Sequence, residues 1–176
     1  MKIIKVKQHS PNQSFGYLFD TNVWLYIYGP VAGSNATKQR IYSSLLNSIL
    51  ERKAVIFITS LVLSEYINTV LRIGFKQWKN NGNYNADYKR DYRNTDDYKD
   101  TLADAIAQVE DILKITQRRP DDFNAMDINA ILAAMSQSSD YNDSYLVKCC
   151  EHANIKFVSD DRDIISINSP ITVIQA

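Results

Sequence analysis

Cysteine and histidine are scarce in this sequence of 176 residues, which has two of each. The cysteines are neighbours, Cys149 and Cys150, so they offer neither a useful bridge across the fold nor the spacing of a zinc site. With only His9 and His152 available, a histidine-rich zinc site is excluded as well. This cysteine usage is typical of a reducing compartment, and we expect the protein to be cytoplasmic.

Glycine is also rare, with five residues in the whole chain. A dinucleotide-binding Rossmann enzyme needs a glycine-rich turn after its first strand, and a P-loop enzyme needs a similar loop. No glycine lies between Asp20 and Tyr28, which follow the first predicted strand. A haloacid-dehalogenase-type phosphatase would have a second aspartate where Asn22 stands, and a receiver domain would have an acidic pair there. These classes are therefore excluded.

The chain lacks an excess of either charge, because 20 Lys and Arg residues balance 20 Asp and Glu residues. Any basic surface that binds nucleic acid must therefore be local. The first residues, "MKIIKVKQHSPNQS", have no apolar run long enough for a signal peptide. No segment approaches the roughly 18 apolar residues of a membrane span, so we expect no membrane partner.

Short apolar segments alternate with segments of helical periodicity along most of the chain. The sequence predicts strands in "GYLF", "AVIFIT", "KFV" and "ITVIQA", the first of them ending at residue 19. It predicts helices over residues 21–28, 34–53, 60–75, 101–115, 127–137 and 141–155. Strands that alternate with helices indicate an α/β fold with a largely parallel sheet, and the length favours one domain over residues 1–176.

Residues 76–100 interrupt this pattern with a polar, tyrosine-rich insertion. Tyr84, Tyr88 and Tyr92 recur every four residues, which is typical of one face of a helix. Aromatic rings could stack on single-stranded bases, but six basic residues here are nearly balanced by five acidic ones. We therefore favour packing, a dimer contact or a partner contact over direct RNA binding. Trp24 and Trp78 are likewise expected in the core or an interface.

Four acidic residues stand near the ends of predicted strands or at the helices beside them: Asp20, Glu65, Asp143 and Asp161. In open parallel sheets, functional sites lie beyond the carboxyl ends of the strands. Taken singly, each has a structural explanation. Asp20 and Asp143 could cap helices, Asp161 could belong to a solvated turn with its acidic neighbours, and Glu65 could lie exposed at the edge of an apolar stripe.

The set of four carries more information than any one of its members. Carboxylates brought together repel one another and raise each other's pKa values, and a divalent cation among them removes that cost. Hard oxygen ligands select Mg²⁺ or Mn²⁺ rather than zinc. Such a site suits phosphoryl chemistry.

At these residues the sequence resembles the PIN-domain nuclease family. The matching segments are "LFDTNVWL", "ITSLVLSEYINTVLR", "DYNDSYLVKCCEHANIKFVSDDRDI" and the closing strand. The resemblance implies a Rossmann-like α/β/α sandwich with a central, mostly parallel sheet. It also implies metal-dependent hydrolysis of phosphodiester bonds, usually in RNA.

The resemblance assigns roles residue by residue. Asp20, Asp143 and Asp161 match the metal-binding aspartates, and Glu65 matches the catalytic acid on a helix. Thr21, Asn22 and Asp163 match supporting positions that orient the first aspartate or shape the final turn. Asp160 is not counted as a ligand, because the family often has asparagine there, and Asp140 is expected to fix the loop or cap the helix.

Many small bacterial PIN proteins are VapC-type toxins that an antitoxin protein holds inactive. This chain is longer, with sixteen residues before its first predicted strand and the insertion at 76–100. Two alternatives to a toxin ribonuclease therefore stay open: a housekeeping RNA-processing nuclease and a catalytically inactive PIN-like module that binds RNA or protein. Analogy with the family also leads us to expect a homodimer.

Overall fold

The computed structural model describes residues 1–135 and 139–176. In these residues six parallel strands form one sheet with the order β1-β6-β5-β2-β3-β4. The strands are β1 (Lys2–Lys5), β2 (Tyr17–Phe19), β3 (Ile56–Ile58), β4 (Gln117–Arg118), β5 (Lys156–Val158) and β6 (Thr172–Gln175). The α/β fold with a parallel sheet that the sequence predicted is confirmed.

Helices flank this sheet. They are α1 (Thr21–Ile27), α2 (Ala36–Glu51), α3 (Ser60–Asn80), α4 (Asp96–Ile115), α5 (Ile128–Ala134) and α6 (Tyr141–Ala153). The helix predicted over residues 127–137 is thus found, although its predicted end lies outside the described residues. No helix in the described part of the chain is long and apolar enough to cross a membrane.

The central strand β2 anchors the hydrophobic core. Tyr17, Leu18 and Phe19 are fully buried, because helices cover both faces of a parallel sheet. Trp24 on α1 is also fully buried and packs against Phe19 with 5.0 Å between ring centroids. The expectation of a core or interface position for Trp24 is confirmed as a core position. This packing holds the end of β2 and the start of α1 in one fixed arrangement.

The expectation that the first strand begins near Tyr17 is wrong, because β1 precedes it and pairs with β6 at one edge of the sheet. The segment "KIIK" has polar ends, and Ile3 is 41% exposed, so β1 lacks the apolar signature of a buried strand. Lysine is a usual feature of edge strands, where it discourages pairing with other chains. The opposite edge strand, β4, was missed for a similar reason, since both of its residues are polar and exposed.

The tyrosine-rich insertion is not a helix with a tyrosine face. The helix α3 continues to Asn80, Gly82 takes a positive φ of 105°, and a short 3₁₀ helix follows at Tyr92–Asn94. Asp87 accepts hydrogen bonds from the backbone N–H groups of the residues two and three positions later, which favours a turn over a helix. The helical interpretation of Tyr84, Tyr88 and Tyr92 is therefore wrong.

Packing of the insertion on the domain is confirmed for Tyr92, which is fully buried. Its ring lies 5.3 Å from that of Trp78 and 5.5 Å from that of Phe75, both on α3. Tyr84, in contrast, is 69% exposed. The insertion thus covers the far half of α3 with an aromatic cluster.

Candidate active site

Asp20 lies between the end of β2 and the start of α1, and its side chain is almost completely buried. The backbone N–H of Thr21 donates to Oδ1 of Asp20 over 2.7 Å, so Asp20 caps α1 as a purely structural explanation would require. Its Oδ2 accepts two further hydrogen bonds of 2.6 Å, from the amide of Asn22 and the hydroxyl of Ser159. Asp20 therefore caps α1, and the same residue has its carboxylate held in place by hydrogen bonds.

Ser159 is a member of this site that sequence reasoning missed. It directly follows β5, the strand beside β2, and it is fully buried. Besides donating to Asp20, its hydroxyl oxygen accepts a 3.0 Å hydrogen bond from the backbone N–H of Asp161. The signal available in the sequence was a small hydroxyl residue between the apolar "KFV" and the acidic turn. Ser159 connects the two strand ends that hold Asp20 and Asp161.

Glu65 reaches the site from the second turn of α3. The hydroxyl of Thr21 donates to Oε2 of Glu65 over 3.1 Å. Partial burial raises the pKa of Glu65, the hydrogen bond from Thr21 opposes that rise, and the negative charge of Asp140 adds to it. Glu65 is thus held beside Asp20 by a neutral donor rather than by a cation.

Asp143 lies in the first turn of α6, where it forms a reciprocal capping arrangement with Asp140. The carboxylate of Asp140 accepts the N–H of Asp143 over 3.0 Å, and the carboxylate of Asp143 accepts the N–H of Asp140 over 3.3 Å. The prediction that Asp140 caps the helix is confirmed. Burial raises the pKa of Asp143 to about 6, and the charges of Asp140, Asp161 and Glu65 contribute.

The acidic turn after β5 divides into two parts with different partners. Oδ1 of Asp161 accepts a 2.8 Å hydrogen bond from the backbone N–H of Asp163. This contact joins Asp161 to the first residue of the 3₁₀ helix Asp163–Ser166. Asp160 turns instead toward α2, where it forms an ion pair with Lys38 and accepts a 2.9 Å hydrogen bond from the hydroxyl of Tyr42. The carboxylate of Asp160 is therefore bound to side chains of α2.

The acids of the site influence one another electrostatically. Burial is the main cause that raises the pKa of Asp20 to about 7. The negative charges of Glu65 and Asp143 add to this rise, and the hydrogen bonds from Ser159 and Thr21 oppose it. Asp20, Glu65 and Asp143 are thus close enough for their charges to act on one another, and the charge of Asp161 acts on Asp143.

The carboxylate oxygens of this site are chemically suited to bind a divalent cation. Among residues 1–135 and 139–176, no three His, Cys, Asp or Glu side chains lie close enough to form a ready-made metal cage. Mg²⁺ does not require such a cage, because it keeps several waters and takes one or two protein carboxylates. The buried Asp20 and the half-buried Asp143, both with raised pKa values, are the side chains best placed for this purpose.

Comparison with known proteins gives one family and one fold. The family model described as PIN domain matches residues 17–169. Among solved structures, VapBC2 from Rickettsia felis, bound to a DNA fragment from its promoter, matches with a TM-score of 0.54 and 11% identity over 92% of this chain and 99% of that chain. PAE2754 from Pyrobaculum aerophilum matches with a TM-score of 0.48 and 14% identity over 92% and 85% of the two chains. No curated protein matches by sequence. At 11% identity, the likeness to VapBC2 is one of fold.

Proposed function

Because this chain belongs to the PIN domain family, we propose that it is a Mg²⁺- or Mn²⁺-dependent endoribonuclease that hydrolyses RNA phosphodiester bonds. The observation that carries this proposal is the buried carboxylate of Asp20 at the end of the central strand. Its pKa is raised to about 7 by burial and by the charges of Glu65 and Asp143. A divalent cation would offset both effects, since it favours the charged forms of these acids.

The residues take distinct roles in this proposal. Asp20, Asp143 and Asp161 hold the metal, in part through water. Thr21 and Asn22 orient Asp20 through the N–H and amide hydrogen bonds described above. Thr21 and the end of β2 are buried, which restricts the position of the Thr21 donor.

The proposed chemistry follows from the placement of Glu65 beside Asp20. When bound, Mg²⁺ or Mn²⁺ supplies a Lewis acid for a phosphate oxygen and lowers the pKa of water. Glu65 is only half-buried and its pKa is raised, so it can orient the attacking water and accept a proton from it. In-line attack by the water oxygen forms a new bond to phosphorus and breaks the bond between phosphorus and the 3′ oxygen. The 3′ oxygen leaves with a proton from solvent, so the products are a 5′-phosphate and a 3′-hydroxyl, as the family resemblance implies. Asp163 supports the position of Asp161 through the backbone of the acidic turn.

Asp20→Asn is the variant that tests the proposal. Asparagine also caps helices well, so α1 is expected to form, while loss of the charge should abolish Mn²⁺-dependent cleavage of a fluorescent RNA. Asp104→Asn is the matched control, because it makes the same chemical change at an exposed position on α4. Cleavage by Asp20→Asn at the wild-type rate, with contaminating nuclease excluded, would contradict the assignment. Calorimetry with Mn²⁺ distinguishes the nuclease from a catalytically inactive binding module. The inactive module would bind no Mn²⁺ through Asp20 and Asp143.

An antitoxin protein is the proposed partner, and the fold likeness to VapBC2 supports looking for it. Co-expression with the product of an adjacent small gene for a DNA-binding protein should suppress RNA cleavage. If no such neighbour exists, or if it leaves cleavage unchanged, the housekeeping RNA-processing role is favoured instead. The molar mass in solution tests the proposed homodimer.

A further inference from the structure

A groove of about 410 Å³ runs along α3 away from the carboxylates. Glu65 and Asn142 line it at the end next to the site, and Arg72 and Lys76 line it further along the helix. Asn68 lies between them. The groove therefore begins at the proposed catalytic acid and leads to two positive charges, in a protein whose net charge is zero.

The spacing along α3 places these side chains on one face. Arg72 and Lys76 follow Glu65 by seven and eleven residues, close to two and three helical turns. At the α-helical rise they stand about 10 Å and about 16 Å from Glu65 along the axis. Both cations are exposed. They can therefore contact a chain of phosphates that passes the catalytic end of the groove, and a single strand fits this one-sided geometry.

The tyrosine-rich insertion holds one of these cations in place. The guanidinium of Arg72 lies over the ring of Tyr88, 4.5 Å from its centroid. Arg93 approaches the same ring at 5.6 Å. The Tyr88 ring is itself fixed by an edge-to-face contact with Phe75 at 5.3 Å and a tilted contact with Tyr92 at 5.8 Å. A guanidinium stacked on a fixed ring loses little freedom on binding a phosphate and keeps its in-plane donors available.

We propose that this groove binds the phosphate backbone of single-stranded RNA, with Arg72 and Lys76 as phosphate-binding residues and Tyr88 as the residue that positions Arg72. This inference rests on the proposed ribonuclease function. Because two guanidinium groups approach the Tyr88 ring, the ring supports cations and does not serve as a platform for bases. Binding through the groove is therefore expected to depend on salt and to vary little with base sequence.

Fluorescence anisotropy with a labelled 12-nucleotide RNA of mixed sequence tests the two cations. Measurements in the Asp20→Asn background keep the RNA intact. Arg72→Ala and Lys76→Ala should each weaken binding about five- to tenfold at 0.1 M salt and lower the slope of log K against log salt by about 0.7. Lys114→Ala is the matched control, because it removes one exposed lysine of α4 that pairs with Asp111. It should leave affinity and slope unchanged.

Variants of Tyr88 test the positioning role. Tyr88→Leu should weaken RNA binding about threefold, whereas Tyr88→Phe keeps the ring and should bind like the parent. Adding Tyr88→Leu to Arg72→Ala should cause no further loss, because the two residues act through one contact. A structural role alone would instead lower the melting temperature and weaken binding equally in both backgrounds.

Failure of this inference and failure of the ribonuclease proposal give different results. Unchanged RNA binding by both Arg72→Ala and Lys76→Ala overturns the groove, even if the wild type cleaves RNA. Absence of RNA binding by every variant also overturns it and favours an acidic protein as the occupant. RNA binding that depends on Arg72, in a wild type that cleaves no RNA, supports the groove and contradicts the ribonuclease proposal.

Discussion

The side-chain hydroxyl of Thr21 donates a 3.1 Å hydrogen bond to Oε2 of Glu65, while the backbone N–H of the same residue donates to Oδ1 of Asp20. One residue thus connects two carboxylates that repel each other. The contact also joins the first turn of α1 to α3. In the metal-free protein, Thr21 partly offsets the electrostatic cost of placing Glu65 near Asp20.

Replacing Thr21 by valine should shift the pH dependence of RNA cleavage. Without the hydroxyl, the pKa of Glu65 rises further, so less of the charged form is present in mildly acidic solution. We expect the acidic limb of the rate profile to move to higher pH, with a loss of about tenfold at low pH and a smaller loss at high pH. The measurement is kcat/KM between pH 5.5 and 8.5.

Thr21→Ser is the control for that experiment, because it keeps the hydroxyl and removes only a methyl group. Its profile should coincide with that of the wild type. A valine variant whose acidic limb does not move would show that the hydrogen bond to Glu65 has no part in cleavage.

Asp160→Ala should reduce stability without affecting metal binding. The side chain of Asp160 is 9% exposed, and its carboxylate contacts Lys38 and the hydroxyl of Tyr42. Removing this carboxylate leaves the partly buried Lys38 without its ion-pair partner. We expect a loss of about 2 kcal/mol in the free energy of unfolding, measured by urea denaturation. Mn²⁺ affinity should stay at the wild-type value. Asp161→Asn should instead lower Mn²⁺ affinity and leave the free energy of unfolding near the wild-type value. A loss of Mn²⁺ affinity in Asp160→Ala would contradict the separate roles of Asp160 and Asp161.

The sequence predicted the centre of the molecule well for a physical reason. Strands such as β2 and β5 are buried on both faces, so they read as continuous apolar segments followed by polar residues. Asp20 is conspicuous in that context, because a carboxylate directly after a buried strand needs donors or a cation. The order of strands and helices along the chain then predicts that the acids lie beyond the carboxyl ends of the strands.

The edges of the sheet and the contacts between distant segments could not be predicted in this way. The strands β1 and β4 carry polar residues and depend on pairing with β6 and β3, which local periodicity does not report. The hydrogen bond from Ser159 to Asp20 joins residues 139 positions apart. The spacing of four between tyrosines was misleading in the insertion, since side-chain hydrogen bonds of Asp87 favour a turn there.

Mn²⁺ affinity should rise steeply as the pH increases from about 5 to about 8. The pKa values of Asp143 and Asp20 are raised to about 6 and about 7, so protons compete with the metal across this range. Calorimetry in two buffers with different ionisation enthalpies should detect proton release on binding at pH 6 and much less at pH 8.5. An affinity that does not change with pH would contradict metal binding through these two side chains.

The stability of the metal-free protein should change with pH in a way that Asp20→Asn removes. An aspartate whose folded pKa is raised stabilises the fold when it is protonated, and this contribution is lost as the pH rises from the ordinary value near 4 through about 7. At about 1.4 kcal/mol for each pKa unit, the wild type should be less stable than Asp20→Asn by up to about 4 kcal/mol at pH 8, and by much less at pH 4.5. Adding Mn²⁺ should stabilise only the wild type, because the ligand binds the charged site of the folded state. If denaturation with and without EDTA gives the same difference between the two proteins at every pH, the carboxylate of Asp20 is not the group that the metal neutralises.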